Sequence, residues 1–452
     1  MTGACRRCAN SLVPLFLLLS FVVAFGGQSN AASASSQSTL IPDIGVHSVA
    51  VNAVGCASTG NCLAIGAYDF GNGIIDVYAL EINGQWESFY PFDALNSVSP
   101  AAGQMVIACY ARISCTALIS WLTASYVAET YVATETGGRW SPLVRLAAPD
   151  QSNNLGQALW CSPQGKCAAI ETAQNASGPA HLYVSDGQAG TWQRPSAIMS
   201  TEPVDMAAGS VAFSCSQPGY CVLAGAPPSA TTLTPASIVM TDTGGRWRLA
   251  RIVNAATGPL GVDTASCSYD GSCVLGGSVS RGQGCPATLR CTAVPILLAQ
   301  RDHRPVLQEE IVLRHAHRVT VTQGQVADVA CNASNVCYFV LRDSRATQSQ
   351  LLEWTTHGLA PVSIPAGVLV SLECVQTASE CAVVTLQARI ARFVRIESGR
   401  LFSVASWTYN SRNPFSRLVS LSCADGGRCA LFVPQLGNGD VSAPGSYVIY
   451  TS

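Results

Sequence analysis

Lysine is almost missing from this 452-residue chain: of its 25 basic residues only Lys166 is a lysine. That scarcity, with no Gly-rich phosphate loop after an apolar run, excludes Schiff-base and Walker-type chemistry. Charge is scarce altogether. Charged residues make up 12% of the chain, about half the share of ordinary soluble proteins. Hydrophobic residues reach 48%, a balance that fits sheets buried on both faces. Net charge is −2 and no basic stripe is present, so nucleic acid is not an expected partner. No G-x-S-x-G turn offers a serine nucleophile. Beyond the N-terminus no apolar run approaches the ~18 residues of a membrane span.

What the chain has is cysteine in pairs. They are Cys56/Cys62, Cys109/Cys115, Cys161/Cys167, Cys215/Cys221, Cys267/Cys273, Cys331/Cys337, Cys374/Cys381 and Cys423/Cys429. Five residues separate the partners in all but the seventh pair, which has six. An apolar run enters each first cysteine and another leaves the second, with Ser, Gly, Asn and Pro between: the punctuation of a β-hairpin. Opposite positions on antiparallel strands lie about 4.5–5.5 Å apart at Cα, a distance a disulfide accommodates. Zinc is the rival reading. It prefers pairs two to four residues apart and needs four converging ligands, which six histidines and a next pair some fifty residues away do not supply. Disulfide staples are favoured, and no metal or other cofactor is expected.

Arg6 and Arg7 precede the apolar run Leu12–Phe25, followed by Ala32-Ser33-Ala34. That is the form of a secretory signal peptide over residues 1–34, leaving one domain over 35–452. An uncleaved anchor is the alternative. Cys5 and Cys8, a C-x-x-C, fall in the removed segment, and an oxidising compartment suits the disulfides. The expected location is extracellular or periplasmic, the expected state a monomer without a membrane span.

The hairpins recur about every fifty residues, the period of a propeller or array. Each unit offers two more strands, such as Ile75–Ile82 and Trp86–Phe92, or Tyr126–Thr134 and Trp140–Leu146, making four antiparallel strands per blade. Turns before the fourth strand repeat as Gly84-Gln85-Trp86, Gly138-Arg139-Trp140, Gly190-Thr191-Trp192 and Gly245-Arg246-Trp247. The fold expected is all-β, a propeller of eight blades, with seven as the alternative. The last unit lacks a fourth strand, and Thr39–Ile44 stands upstream of the first hairpin to supply it and close the ring. An insertion, Gly277–Thr292, carries its own pair Cys285/Cys291.

Asp242-Thr243-Gly244-Gly245-Arg246-Trp247 resembles the Asp box of sialidase-like propellers. The chain from about residue 39 onward resembles secreted bacterial β-propeller repeat proteins whose units read roughly S-C-x5-C-x-A-x-G and then G-x-W. The resemblance implies a propeller with the box in a structural role. The arginine and Phe-Arg-Ile-Pro signatures of sialidases are not visible.

Hairpin loops and Gly-Trp turns share one face, and the other is expected to bind. Candidate binding residues there are Trp121, Arg281, Arg290, Arg342, Asp343, Tyr409 and Arg412, since aromatic and Arg side chains on a rim suit glycan or protein contacts. No catalytic set is legible. His315 and His317, near Glu309 and Glu310, form at most half a metal site. The favoured function is a secreted, non-enzymatic propeller binding a glycan or protein at the cell envelope or outside the cell. A sialidase-like glycoside-active or lyase-type enzyme is the alternative.

Overall fold

The computed structural model describes the strands and short turns between Ser38 and Tyr450. Residues 1–37, 41–48, 93–103, 199–210, 226–236, 282–291, 301–308, 313–323, 409–419 and 434–446, with shorter loops, lie outside the described residues. The described residues belong to one unit, Ser35–Ser452. No helix among them is long and apolar enough to cross a membrane.

The hairpins form as their spacing requires. Ala57 N–H donates to Asn61 O, as do Ser162 to Lys166, Ser268 to Ser272 and Asn332 to Val336. The next pair outward, the cysteines, is therefore a non-hydrogen-bonded pair, the type whose Cα atoms come closest. Eight disulfides join the expected partners: Cys56–Cys62, Cys109–Cys115, Cys161–Cys167, Cys215–Cys221, Cys267–Cys273, Cys331–Cys337, Cys374–Cys381 and Cys423–Cys429. Their Cα atoms are 3.9–4.0 Å apart, tighter than expected. Cys285 and Cys291 lie outside the described residues.

Each hairpin supplies the first two strands of an antiparallel sheet, and the chain builds eight such sheets. First strands are Val49–Cys56, Gln104–Ala111, Asn153–Cys161, Ala212–Gln217, Leu260–Cys267, Gly324–Cys331, Val368–Cys374 and Ser420–Ala424. The sheets are numbered one to eight in that order. First strands of successive sheets pack on one another, and that of the eighth packs on that of the first. Four-stranded antiparallel sheets stacked in this way are the arrangement of a β-propeller. In the eighth sheet the outermost strand is Ser38–Leu40, which pairs with Tyr447–Ile449. It begins one residue before the expected Thr39–Ile44, and Ile41–Ile44 lie outside the described residues.

Two expected fourth strands are each broken in two: Gln85–Trp86 with Tyr90–Pro91, and Arg139–Trp140 with Val144–Leu146. The third sheet does the same with Thr191–Trp192 and Ser196–Ala197. Pro142 and Pro195 stand in two of the breaks and cannot donate to the ladder. Third strands also shift, to Ile74–Ile82 and Ala128–Thr136. The insertion is shorter than expected, because the fifth sheet's second strand runs to Arg281 and its third starts at Thr292.

Burial on both faces explains the low charge. Along the second strand of sheet one, Leu63 and Ile65 pack with Met105, Ala117 and Ile119 of sheet two. Cys62 and Ala64 point the other way, to Ala424 and Ala430 of sheet eight. A Cβ on Gly55 would lie 2.7 Å from Ile107 Cγ2, so only glycine allows sheets one and two to approach there. Trp140 stacks on Phe92 of the preceding sheet, ring centroids 4.2 Å apart.

Candidate functional site

Turn chemistry shapes the hairpin side of the molecule. Glu81, Glu135 and Asp242 each stand on a third strand opposite a second cysteine. Glu135 accepts a hydrogen bond from Gly138 N–H, in a turn where Gly137 and Gly138 take positive φ of 61° and 83°. Burial raises its pKa to about 7, against the lowering effect of that bond. A carboxylate or carboxyl thus recurs at the Asp-box position, of which the sequence motif marked only the fourth-sheet copy.

On this side a cleft of about 900 Å³ opens between sheets three and four. In sheet one Tyr78 pairs with Tyr90, and Tyr78 packs edge-on against Trp140 of the next sheet. Counted from the cysteine, the equivalent pair in sheet three is Val184 and Ser196. Both side chains are smaller than the two rings of sheet one, as are Val132 and Val144 at the same position of sheet two. Below the cleft Ile170, Val184 and Ile198 of sheet three pack with Leu223, Phe213 and Trp247 of sheet four.

Lys166 from the third hairpin, with Arg246 and Arg248 from the fourth sheet's turn and outer strand, lines the cleft. All three are exposed, and no ion pair to them occurs among the described residues. Half-buried Trp160 and Trp247 form apolar wall, and Asp186, Gln188 and Gln193 add polar groups. Asp186 keeps exposed surface, yet the walls desolvate its carboxyl enough to raise its pKa. Asp242 is buried.

Trp160 also borders a second pocket of about 220 Å³. There the first-cysteine ends of sheets one, two, three, seven and eight converge, bringing Glu373 in beside Tyr110 and Ser422. Burial raises Glu373 to about 8, and repulsion from Asp328 adds to the shift. Asp328 is raised to about 7 by burial, while hydrogen bonds from the Leu372 and Val329 amides and the Arg342 charge oppose the rise. Among the described residues no three His, Cys, Asp or Glu converge as metal ligands.

The cysteines pair as expected but do not act alike. Cys167 and Cys221 line the cleft, and the first cysteines Cys56, Cys109, Cys161, Cys374 and Cys423 border the second pocket. Cys115, Cys273, Cys337, Cys381 and Cys429 form their expected disulfides, line neither hollow and are buried in the core. The reason is their place at the start of a second strand, where the side chain projects between stacked sheets. Cys115 packs with Leu63 and Ile65 of the preceding sheet, Cys337 with Val274, Cys381 with Tyr338 and Cys429 with Phe393. These staples hold the core.

The expected binding residues are not gathered together. Trp121 lies in a second strand, 2% exposed and stacked on Tyr131 at 4.1 Å, in the core rather than on a rim. Arg342 is half-buried, its Nη2 donating to Leu369 O at 2.9 Å. Asp343 accepts from Gln348 N–H at 2.9 Å, closing its own hairpin. Arg281 ends a strand, and Arg290, Tyr409 and Arg412 lie outside the described residues, as do His315 and His317. The cleft instead opens on the hairpin side, where the sequence motifs had marked only Thr191, Asp242, Arg246, Trp247 and the two lining cysteines among its residues.

No family model and no curated protein matches the chain. Among solved structures it is similar to the polysaccharide lyase Uly1, with a TM-score of 0.49 and 8% identity over 89% of each chain. It is similar to the BP39L lectin from Burkholderia pseudomallei, with a TM-score of 0.45 and 12% identity over 81% of this chain and 100% of that one. A Hadza microbial sialidase, Hz136, gives a TM-score of 0.40 and 13% identity over 73% and 74%. Likeness at this level names neither a ligand nor a reaction for this chain.

Proposed function

We propose that the protein is a secreted, non-enzymatic β-propeller that binds a glycan or protein at the cell envelope or outside the cell. The reading takes the eight sheets as eight blades in a ring closed by the N-terminal strand, with residues 1–34 as a signal peptide. The cleft between sheets three and four carries it. A concave site of about 900 Å³ with aromatic walls and a few polar groups is the form of a ligand site, and it favours a glycan over a flat protein partner. Disulfides in every described hairpin support an oxidising compartment. The test is a titration of tryptophan emission with a panel of neutral and acidic oligosaccharides. Binding that Trp247→Ala weakens, with the melting temperature retained, supports the reading. A folded protein that responds to no oligosaccharide overturns the glycan assignment. The loop between Arg281 and Thr292, with Arg290, is a second contact proposed for the opposite face.

The alternative, a glycoside-active or lyase-type enzyme, is favoured by one observation. Asp328 and Glu373 stand on the first strands of neighbouring sheets, and the Asp328 charge raises the proton affinity of Glu373 beyond what burial does. Release of reducing ends or of unsaturated sugars, lost in Glu373→Gln, would select it.

A further inference from the structure

The cleft has a charge pattern that narrows its ligand. Lys166 reaches it from sheet three, and Arg246 and Arg248 from sheet four. The only lysine of the chain and two of its arginines thus share one concavity in a protein of net charge −2. All are exposed, and none has an ion-pair partner among the described residues. Like charges held together around a hollow repel one another, and an anion entering the hollow relieves that repulsion. Guanidinium groups offer a planar fork that matches a carboxylate or sulfate, and the ammonium adds a point charge.

Charge alone does not choose among anions, but the walls do. Trp160 and Trp247 present half-buried indole faces on which the C–H face of a sugar ring can lie. The space exceeds what a single small anion fills. Trp160 also borders the pocket where the first strands converge, so one side chain joins the two hollows. Asp186, on the cleft rim, is the one exposed carboxylate among the lining residues and suits a hydroxyl more than a second anionic group.

We infer that the cleft between sheets three and four binds an anionic oligosaccharide, its carboxylate or sulfate groups held by Lys166, Arg246 and Arg248 and its rings by Trp160 and Trp247. The inference rests on the glycan-binding reading above.

The experiment uses the purified, disulfide-bonded chain and follows tryptophan emission. The probes are oligogalacturonate, dextran sulfate, neutral dextran and polyglutamate. Oligogalacturonate or dextran sulfate is expected to bind, and which of them does so distinguishes carboxylate from sulfate recognition. Arg246→Ala combined with Arg248→Ala should weaken that binding about tenfold or more, and about 1 M salt should abolish most of it. The melting temperature should hold. If the double variant fails to fold, Lys166→Ala on the opposite wall provides the same reading. Equal affinity for neutral dextran, unchanged in the variants, would reject the anionic ligand while leaving glycan binding in place. Binding of no sugar at all would remove both readings. Polyglutamate bound as tightly as oligogalacturonate would make the cleft a site for acidic peptide and overturn the proposal.

Discussion

Ser214, Ser266 and Ser422 show what a single residue does in this repeat. Each precedes a first cysteine, and each Oγ accepts the N–H of the first cysteine in the next sheet: Ser214 from Cys267 at 3.0 Å, Ser266 from Cys331 at 2.9 Å and Ser422 from Cys56 at 2.9 Å. The serine of the S-C dipeptide is therefore a link between sheets. Ser214 is buried, so Ser214→Ala leaves the Cys267 amide without its partner and should cost about 1–3 kcal/mol in denaturant unfolding. An unchanged midpoint and slope would mean that water takes over the bond. Glu171 acts through its proton. It is fully buried, its carboxylate oxygens have no hydrogen-bond partner, and burial raises its pKa to about 8. The unfolded chain ionises it near the ordinary glutamate value, so the folded state holds more protons over the interval between. Stability is fully present below about pH 4.5 and falls as pH rises towards about 8, beyond which this loss levels off. Glu171→Gln should remove that slope and stabilise the protein at pH 8 by about a few kcal/mol. Stability–pH curves of the two proteins check this, and parallel curves would refute it.

The hairpin is the element in which sequence and geometry meet most directly. Five residues between cysteines place the two thiols on a non-hydrogen-bonded pair, and each of the eight described disulfides closes its own hairpin. Under non-reducing digestion the 18 cysteines after residue 34 should appear as nine local crosslinks with no alkylatable thiol. Crosslinks between units would contradict that pairing. Cys161→Ser with Cys167→Ser should cost roughly 2 kcal/mol, the stabilisation expected for so short a loop. The turns add a second layer. The loops of sheets five, six and seven interlock through Ser268 Oγ to Asn335 Oδ1 at 2.8 Å and Asn332 Nδ2 to Ser379 O at 3.2 Å. Asn332 thus works as a turn and bridging residue on the hairpin side.

In the whole molecule the two ends of the chain share one sheet. Ser38, Thr39 and Leu40 pair with Ile449, Val448 and Tyr447, so the last sheet gains its outer strand from the first residues described. Deleting residues 38–40 should lower the thermal midpoint by about 2–4 °C or more, and should expose the edge strand Tyr447–Tyr450 to pairing with other chains. Light scattering during the melt would reveal that association. A truncated protein with an unchanged midpoint and no association would mean that the strand contributes nothing to the seam.

How much of this was legible follows from where each interaction lies along the chain. The cysteine spacing, the alternation of apolar runs and the Gly-Trp turns act within about ten residues, so their register chemistry could be read directly and gave the hairpins, the repeat and the all-β class. Strand breaks at Pro142 and Pro195 were written there too, since proline cannot donate to the ladder. Trp121 was misplaced because a tryptophan near a strand end looks alike whether it meets solvent or Tyr131, and the neighbouring strand decides which. The cleft was beyond reach for the same reason. One of its walls holds Val184 and Ser196, and the other is built by Arg246, Trp247 and Arg248 on a different sheet. Lys166 meets those arginines only after some eighty intervening residues have folded into two sheets. Local sequence determined the repeat because its forces are short-ranged; the tertiary structure decided the site because a cavity depends on side chains that only folding brings face to face.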